Sequence, residues 1–134
     1  MKAKVEWMSD ERFVATTESG HAIVLDANGG KTAPSPMENV LLSLGGCSSV
    51  DVVSILEKAR QNVTAVRVEL DGTRADAVPA LFTKIHLHFV VTGKGVAEKH
   101  VERAVALSAD KYCSVALMLN KAVEITHDFE VIEG

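Results

Sequence analysis

The sequence of 134 residues lacks any excess of basic residues, because 14 lysines and arginines stand against 18 aspartates and glutamates, a formal net charge of −4. Aromatic residues are also scarce, at 4% of the chain. A nucleic-acid partner requires a basic surface for its phosphates and usually aromatic side chains for its bases. These two shortages argue against nucleic acid as a partner.

The chain also lacks the patterns of export and membrane insertion. Its first residues, Met1 to Glu6, contain no apolar core of a signal peptide, and no stretch approaches the roughly 18 uncharged apolar residues of a membrane span. We therefore expect a cytoplasmic protein with no membrane partner.

Cysteine is rare too, with Cys47 and Cys113 alone. A merely structural disulfide does not persist in a reducing compartment, so these thiols are expected to be either inert or redox-active. Hydrophobic residues make up 47% of the chain, which is enough to bury a core without a disulfide or a metal. We expect a single domain, residues 1–134.

Three adjacent signals predict the start of a long central helix. Ser35 is a suitable N-cap, Pro36 suits the first helical position, and Glu38 completes a capping box three residues after the cap. The helix is predicted to run to about Arg60, with Asn62 in the left-handed conformation that follows it.

The central helix carries apolar residues on every side, which predicts that it is buried all round at the centre of the fold. Gly45 and Gly46 interrupt this apolar sequence. Each glycine weakens a helix by about 1 kcal/mol relative to alanine, so we expect another backbone to approach closely at this point.

Alternation of apolar and polar residues predicts six strands, and helical spacing predicts two further helices. The first three strands are separated by turns and predict a meander, which a glycine-containing loop joins to the central helix. The two strands after that helix pair most simply as a hairpin. The predicted strands cover residues 2–8, 12–17, 22–25, 66–71, 85–91 and 123–131, and the further helices residues 96–111 and 115–119.

The two cysteines occupy different electrostatic positions. Cys113 lies at the start of the last predicted helix, where the helix dipole favours a thiolate. Cys47 lies about 11 residues into the central helix, beyond the reach of that effect, and the negative charge of Asp51 one turn further on disfavours a thiolate. A nucleophilic Cys47 therefore needs a lysine or arginine from elsewhere in the fold.

Other candidate residues have simpler interpretations. A cysteine among apolar residues is most often just a small buried side chain. His86 and His88 share one face of a predicted strand and could chelate a metal, but no third ligand of suitable spacing accompanies them, so solvent-facing histidines are the favoured interpretation. Glu38 is a weak candidate for a catalytic role because the capping box already accounts for it.

Two cysteine-containing segments resemble those of a known family. Residues 35–42, with the sequence Ser-Pro-Met-Glu-Asn-Val-Leu-Leu, lead into Gly45-Gly46-Cys47, and residues 110–114 read Asp-Lys-Tyr-Cys-Ser. With a hairpin and a helix between them, these segments resemble the osmotically inducible protein C and organic hydroperoxide resistance family (OsmC/Ohr), and within it the small YhfA-like branch. The resemblance extends over nearly the whole chain.

The resemblance implies an α+β fold of the OsmC-like type, with antiparallel sheets around the long central helices of an intertwined homodimer. It also implies a thiol peroxidase that acts on organic hydroperoxides, and on hydrogen peroxide as a further substrate, in oxidative or osmotic stress. Cys47 would be the peroxidatic and Cys113 the resolving cysteine, and Arg12 would stabilise the thiolate across the dimer. An external dithiol reductant of the lipoyl type would reopen the disulfide, with no bound cofactor and no metal.

Two departures from the family pattern keep other functions open. Family enzymes have a glutamate directly after the proline, whereas this chain has Met37 there and Glu38 one residue later, on the helix face opposite Cys47. They often have Cys-Pro, whereas Ser114 follows the second cysteine here. One alternative is a non-enzymatic dimer that binds a small apolar ligand in the pocket between its helices. Another is chemistry on a different sulfur or electrophilic substrate.

Overall fold

A computed structural model describes the whole chain, residues 1–134. The chain divides into two compact units, residues 1–42 and 43–134, and helix α1 begins in the first and ends in the second. The elements are β1 (Ala3–Ser9), β2 (Arg12–Thr17), β3 (Ala22–Asp26), α1 (Pro36–Lys58), β4 (Val63–Arg74), β5 (Phe82–Gly93), α2 (Glu98–Leu107), a π-helical segment (Ser108–Tyr112), α3 (Ser114–Leu119) and β6 (Glu124–Glu133).

The first unit is built on the three-stranded antiparallel sheet β1-β2-β3, which confirms the predicted meander. The loop after β3 is organised by Asp26, which is only 3% exposed. Its carboxylate accepts hydrogen bonds from the Thr32 hydroxyl and from the backbone N–H groups of Asn28 (2.9 Å) and Thr32 (3.0 Å). These bonds, led by that of the Thr32 hydroxyl, lower the pKa of Asp26. The loop therefore has a charged, internally bonded centre.

The start of α1 is the predicted capping box. The backbone N–H of Glu38 donates to the Ser35 hydroxyl (3.1 Å), and the backbone N–H of Ser35 donates to the Glu38 carboxylate (2.9 Å). Gly30, in the left-handed region at φ 72°, lies against the same carboxylate, where an added Cβ would overlap it. The carboxylate of Glu38 is thus fixed by the helix start and by the loop that precedes it.

The end of α1 differs from the prediction. The left-handed residue is Arg60, with φ 55°, and not Asn62. The Gln61 N–H then donates to the Leu56 carbonyl (3.0 Å), which is the bond of a Schellman ending. The helix closes two residues earlier than expected because Arg60, not the asparagine, takes the strained position.

The second unit contains the sheet β4-β5-β6. Strands β4 and β5 pair as an antiparallel hairpin, as predicted, and both are longer than predicted. Strand β6 pairs with β5 in parallel, which corrects the expectation of purely antiparallel sheets. A parallel pair needs a crossover connection of a dozen or more residues, and α2, the π-helical segment and α3 supply it.

One face of α1 belongs to the core of this unit, and the prediction of burial on all sides is wrong for the chain by itself. Leu44, Val52 and Leu56 are fully buried, whereas Val50 is 68% and Val53 37% exposed. By length and composition α1 could cross a membrane, with a mean hydropathy of 1.6 over 18 residues, although it contains the charged Asp51. Its buried face is that of the central helix of a folded domain.

The two glycines of α1 have different surroundings. A Cβ on Gly45 would lie 2.8 Å from Leu70 Cδ1 and 3.4 Å from Val68 Cγ1, both on β4. A Cβ on Gly46 would meet nothing within 4 Å. The predicted approach of another backbone is therefore not found, and Gly45 instead makes room for two side chains of strand β4 in the same chain.

Helix α2 ends earlier than predicted and continues as the π-helical segment, a widened turn in which the Cys113 N–H donates to the Ser108 carbonyl (2.9 Å). Such turns are rare in proteins overall, and those that occur are often found at functional sites. This one ends at Tyr112. Cys113 follows with an extended backbone (φ −77°, ψ 104°), and α3 begins at the next residue.

Candidate functional site

Cys113 is a fully buried thiol with two hydrogen-bond donors. It is 0% exposed and is itself the N-cap of α3. Its Sγ accepts from the Ala116 backbone N–H (3.4 Å) and from the Ser48 hydroxyl (3.4 Å). Sulfur thus replaces the oxygen that usually caps a helix.

The pKa of Cys113 is raised, chiefly because burial disfavours the thiolate, and interaction with Cys47 adds to the rise. The bonds from Ser48 and Ala116 act in the opposite direction. The expectation that the helix start favours a thiolate at Cys113 is therefore outweighed by desolvation. In the reduced protein this sulfur is a buried thiol that accepts two hydrogen bonds.

Cys47 is half-buried on α1, one residue before Ser48, and both cysteines are free thiols. Cys47 contributes to the raised pKa of Cys113, so the two thiols lie near each other in the second unit. The structure therefore brings together the two cysteines singled out in the sequence. One is accessible and the other is enclosed.

A chain of polar side chains that the sequence analysis missed supports the thiol pair. Ser48 and Ser108 are 3% and 1% exposed, on α1 and at the start of the π-helical segment. The Ser108 hydroxyl lies 2.9 Å from Asp51 Oδ2 and 3.4 Å from the Ser48 carbonyl. Asp51, expected to act on Cys47, is thus bonded to Ser108. The only sign of these polar contacts in the sequence is that two serines lie among the apolar residues of the predicted helices.

Arg12 and Glu38 belong to the first unit, and their assignment to the thiol site stays a prediction. The Arg12 guanidinium donates to the Ser9 hydroxyl (2.9 Å) and to Asp10 Oδ2 (3.3 Å), and its side chain is 39% exposed. The Glu38 carboxylate is used in the capping box. Both cysteines lie in the second unit, and these hydrogen bonds of Arg12 and Glu38 are made within the first unit.

The histidine pair on β5 is part of a ladder with β6. His86 bonds to Thr126 (2.7 Å) and Asp128 (3.0 Å), and His88 bonds to Asp128 (2.6 Å) and Glu130 (3.2 Å). No group of three or more histidine, cysteine, aspartate or glutamate side chains is arranged to hold a metal ion. The pair therefore links two strands, which the sequence could not predict because the partners lie 40 residues away.

Two cavities of the second unit border the polar side chains near the thiol pair. The larger, of about 590 Å³, is found between α1 and the segment formed by α2 and the π-helical turn, and is lined by Asp51, Ser54, Ile55, Lys58, Ala59, Arg103, Leu107 and Tyr112. The smaller, of about 10 Å³, lies beside Ser48 among apolar side chains of the core. The first has room for a small molecule, and the second holds no more than about one water.

Two three-stranded sheets, a long helix and a pair of neighbouring thiols define an α+β thiol protein. A family model described as OsmC-like protein matches residues 28–128. The chain is 54% identical over 132 residues to Protein YhfA of Escherichia coli (strain K12), covering 98% of each chain.

Solved structures agree with this match. A hypothetical protein from Aquifex aeolicus VF5 is 34% identical with a TM-score of 0.89, covering 99% of this chain and 96% of that one. An organic hydroperoxide resistance protein OsmC from Legionella pneumophila has the same fold at 15% identity, with a TM-score of 0.72 and coverage of 96% and 95%. The chain belongs to the OsmC-like family, and the resemblance drawn from its two cysteine segments is confirmed.

Proposed function

We propose that this protein is a thiol-dependent peroxidase that reduces organic hydroperoxides, and hydrogen peroxide as a smaller substrate, in oxidative or osmotic stress. The observation that carries the proposal is the pairing of a half-buried Cys47 with a buried Cys113 whose sulfur already accepts two hydrogen bonds. A cysteine that reacts with peroxide must be reachable, and its resolving partner must be close. The two thiols meet both requirements.

The proposed reaction has two steps. The Cys47 thiolate attacks one oxygen of the hydroperoxide, the O–O bond breaks, and the alkoxide leaves and takes a proton to become the alcohol. Cys47 is then a sulfenic acid. Cys113 attacks that sulfur, the S–O bond breaks, and the departing hydroxide takes the thiol proton to leave as water. The product is a Cys47–Cys113 disulfide, which an external dithiol reduces.

Membership of the family is consistent with this chemistry but does not assign the reaction to this chain. The chain belongs to the OsmC-like family, and the Legionella pneumophila relative is described as an organic hydroperoxide resistance protein. At 15% identity that relative supports the fold alone. The thiol pair of this chain is therefore the feature that supports the reaction.

We also propose that the protein works as an intertwined homodimer. Members of the OsmC/Ohr family are generally dimeric. The face of α1 that carries Gly46, Val50 and Val53 is apolar and exposed, so a second copy of the helix would remove it from water. The partner chain would then supply Arg12 to the Cys47 thiolate. Sedimentation analysis at micromolar concentration should give twice the chain mass, and a monomer at all concentrations would contradict this assembly.

Peroxide consumption tests the proposal. Purified protein with cumene hydroperoxide and dithiothreitol should consume peroxide catalytically. Cys47→Ser should abolish turnover, because the attacking sulfur is gone. Cys113→Ser should slow it and leave a Cys47 sulfenic acid that dimedone traps. An unchanged rate in Cys47→Ser would contradict the proposal.

A matched pair of arginine variants tests the thiolate partner. Arg12→Gln should lower the rate constant of the first step, whereas Arg67→Gln, which removes an exposed arginine paired with Glu69, should not. Equal rate constants in both variants would exclude Arg12 from the site.

A second candidate is a non-enzymatic dimer that binds a small molecule between its helices. The cavity of about 590 Å³ favours it, although Asp51, Lys58 and Arg103 make its lining more polar than an apolar ligand would require. Mass spectrometry after mild peroxide treatment separates the two functions. The peroxidase requires a selective Cys47–Cys113 disulfide, and the binding protein does not.

A further inference from the structure

Two hydrogen-bond donors face the enclosed sulfur of Cys113. Its sulfur is enclosed, and both of its donors, the Ser48 hydroxyl and the Ala116 N–H, belong to structured elements. Burial makes a negative charge at this sulfur unfavourable unless such donors face it. The two donors therefore have most to contribute when Cys113 carries a full negative charge.

The accessibility of the two sulfurs fixes which one an external thiol can reach. Cys47 is half-buried, whereas Cys113 is 0% exposed. Thiol–disulfide exchange needs access to the attacked sulfur and is faster when the departing thiolate is stabilised. Access selects the direction of attack, since Cys47 is the sulfur that an external thiol can reach. Burial opposes a thiolate at the enclosed Cys113, and the hydrogen bonds from Ser48 and Ala116 offset part of that cost.

We infer that the reductant opens the Cys47–Cys113 disulfide at Cys47, and that Cys113 departs as a thiolate held by the Ser48 hydroxyl and the Ala116 N–H. This inference rests on the proposed function. The attacking thiolate of an external dithiol bonds to Cys47 Sγ, the S–S bond breaks, and its electron pair stays on Cys113, which then takes a proton from water. The second thiol of the reductant then attacks the reductant sulfur that is bonded to Cys47. This step forms the cyclic disulfide of the reductant and releases Cys47. Two electrons pass from the dithiol to the protein disulfide.

Ser48 is a positioning residue in this scheme, and the chain from Asp51 through Ser108 holds it in place. Ser108 lies 3.4 Å from the Ser48 carbonyl and 2.9 Å from Asp51. Ser108 also begins the π-helical segment, and its carbonyl accepts from the Cys113 N–H (2.9 Å). The same residue therefore aligns the donor on α1 and the backbone of the departing cysteine.

Trapping the mixed disulfide tests the direction of attack. The wild-type disulfide is formed with cumene hydroperoxide or, separately, with diamide, and is treated with excess 2-mercaptoethanol. After an acid quench and alkylation with N-ethylmaleimide, peptide mapping identifies which cysteine carries mercaptoethanol. We expect it on Cys47, with the maleimide on Cys113. Mercaptoethanol on Cys113 would overturn the inference.

The two oxidants separate the inference from the function on which it rests. If diamide forms the disulfide and cumene hydroperoxide does not, the peroxidase proposal fails while the direction of attack is still measured. If neither forms it, both fail. If both form it and the adduct is on Cys113, only the inference fails.

Ser48→Ala and Ser49→Ala form a matched pair, because Ser49 is the next residue of α1 and makes no hydrogen bond to Cys113. Removing a hydrogen bond to a charged group predicts disulfide opening slower by about tenfold or more in Ser48→Ala. Ser49→Ala should open at the wild-type rate. The circular dichroism spectrum of Ser48→Ala should match that of Ser49→Ala, which a general loss of structure would not allow. Equal opening rates in both variants would exclude Ser48 from this role.

Discussion

The adjacent glycines of α1 allow the packing of the thiol-bearing helix to be tested by two single substitutions. A Cβ on Gly46 meets nothing within 4 Å in the same chain, so Gly46→Ala should gain the full helix propensity of alanine at protein concentrations too low for the proposed dimer. That gain is about 1 kcal/mol in the free energy of unfolding. Nothing in the chain itself opposes it.

Gly45→Ala brings the same propensity but adds a steric cost. Its Cβ would lie 2.8 Å from Leu70 Cδ1 and 3.4 Å from Val68 Cγ1. Overfilling a packed interface costs about 1–3 kcal/mol. The lower end applies because the Leu70 methyl, which is the closer atom, can rotate away, although the stiff Val68 side chain cannot. Gly45→Ala should therefore be about neutral, and about 1 kcal/mol less stable than Gly46→Ala.

Urea unfolding followed by circular dichroism, at one fixed protein concentration, measures this difference. For a domain of this size about 1 kcal/mol corresponds to a shift of roughly 4 °C in the thermal midpoint. Equal stabilisation by both substitutions would refute the contact between Gly45 and β4. A loss of stability in Gly46→Ala that grows with protein concentration would mean that a second chain covers that face.

Two further predictions concern the helix start and the histidine ladder. Ser35→Ala should destabilise the protein by about 1 kcal/mol in urea unfolding, because it leaves the Glu38 N–H without its cap, and no change would contradict the capping box. Hydrogen bonds to Asp128 and Glu130 raise the pKa of His88, so the stability it contributes is complete below its ordinary value of 6.5 and is lost as the pH rises through the raised value. His88→Gln should therefore flatten the decline of the thermal midpoint as the pH rises above 6.5, and an unchanged decline would contradict this assignment.

Local sequence signals predicted the elements that close over short distances. The capping box at Ser35 and Glu38 is formed by residues three apart, and the meander and the β4-β5 hairpin join strands through short turns. The signals were sufficient because each of these features depends mostly on its own residues.

Features that depend on distant partners could not be predicted. The parallel pairing of β6 needs a crossover whose direction no local pattern specifies. The π-helical turn before Cys113 is held by Ser108, whose partner Asp51 is 57 residues away. The buried bond between Ser48 and Cys113 spans 65 residues, so the donors at the thiol site emerged only from the fold.

The parallel pairing of β6 also determines the order in which the protein can assemble. Strands β4 and β5 can join as soon as their turn is made, whereas Lys84 and Glu124, partners in the β5-β6 pair, are 40 residues apart. Cys113 lies within the connection between β5 and β6, which closes late, and Cys47 lies 66 residues before Cys113. On a growing or refolding chain we therefore expect Cys47 to be the exposed thiol, open to pairing with another chain until the last strand closes. Refolding yield should depend on a reductant during that interval and become insensitive to it afterwards.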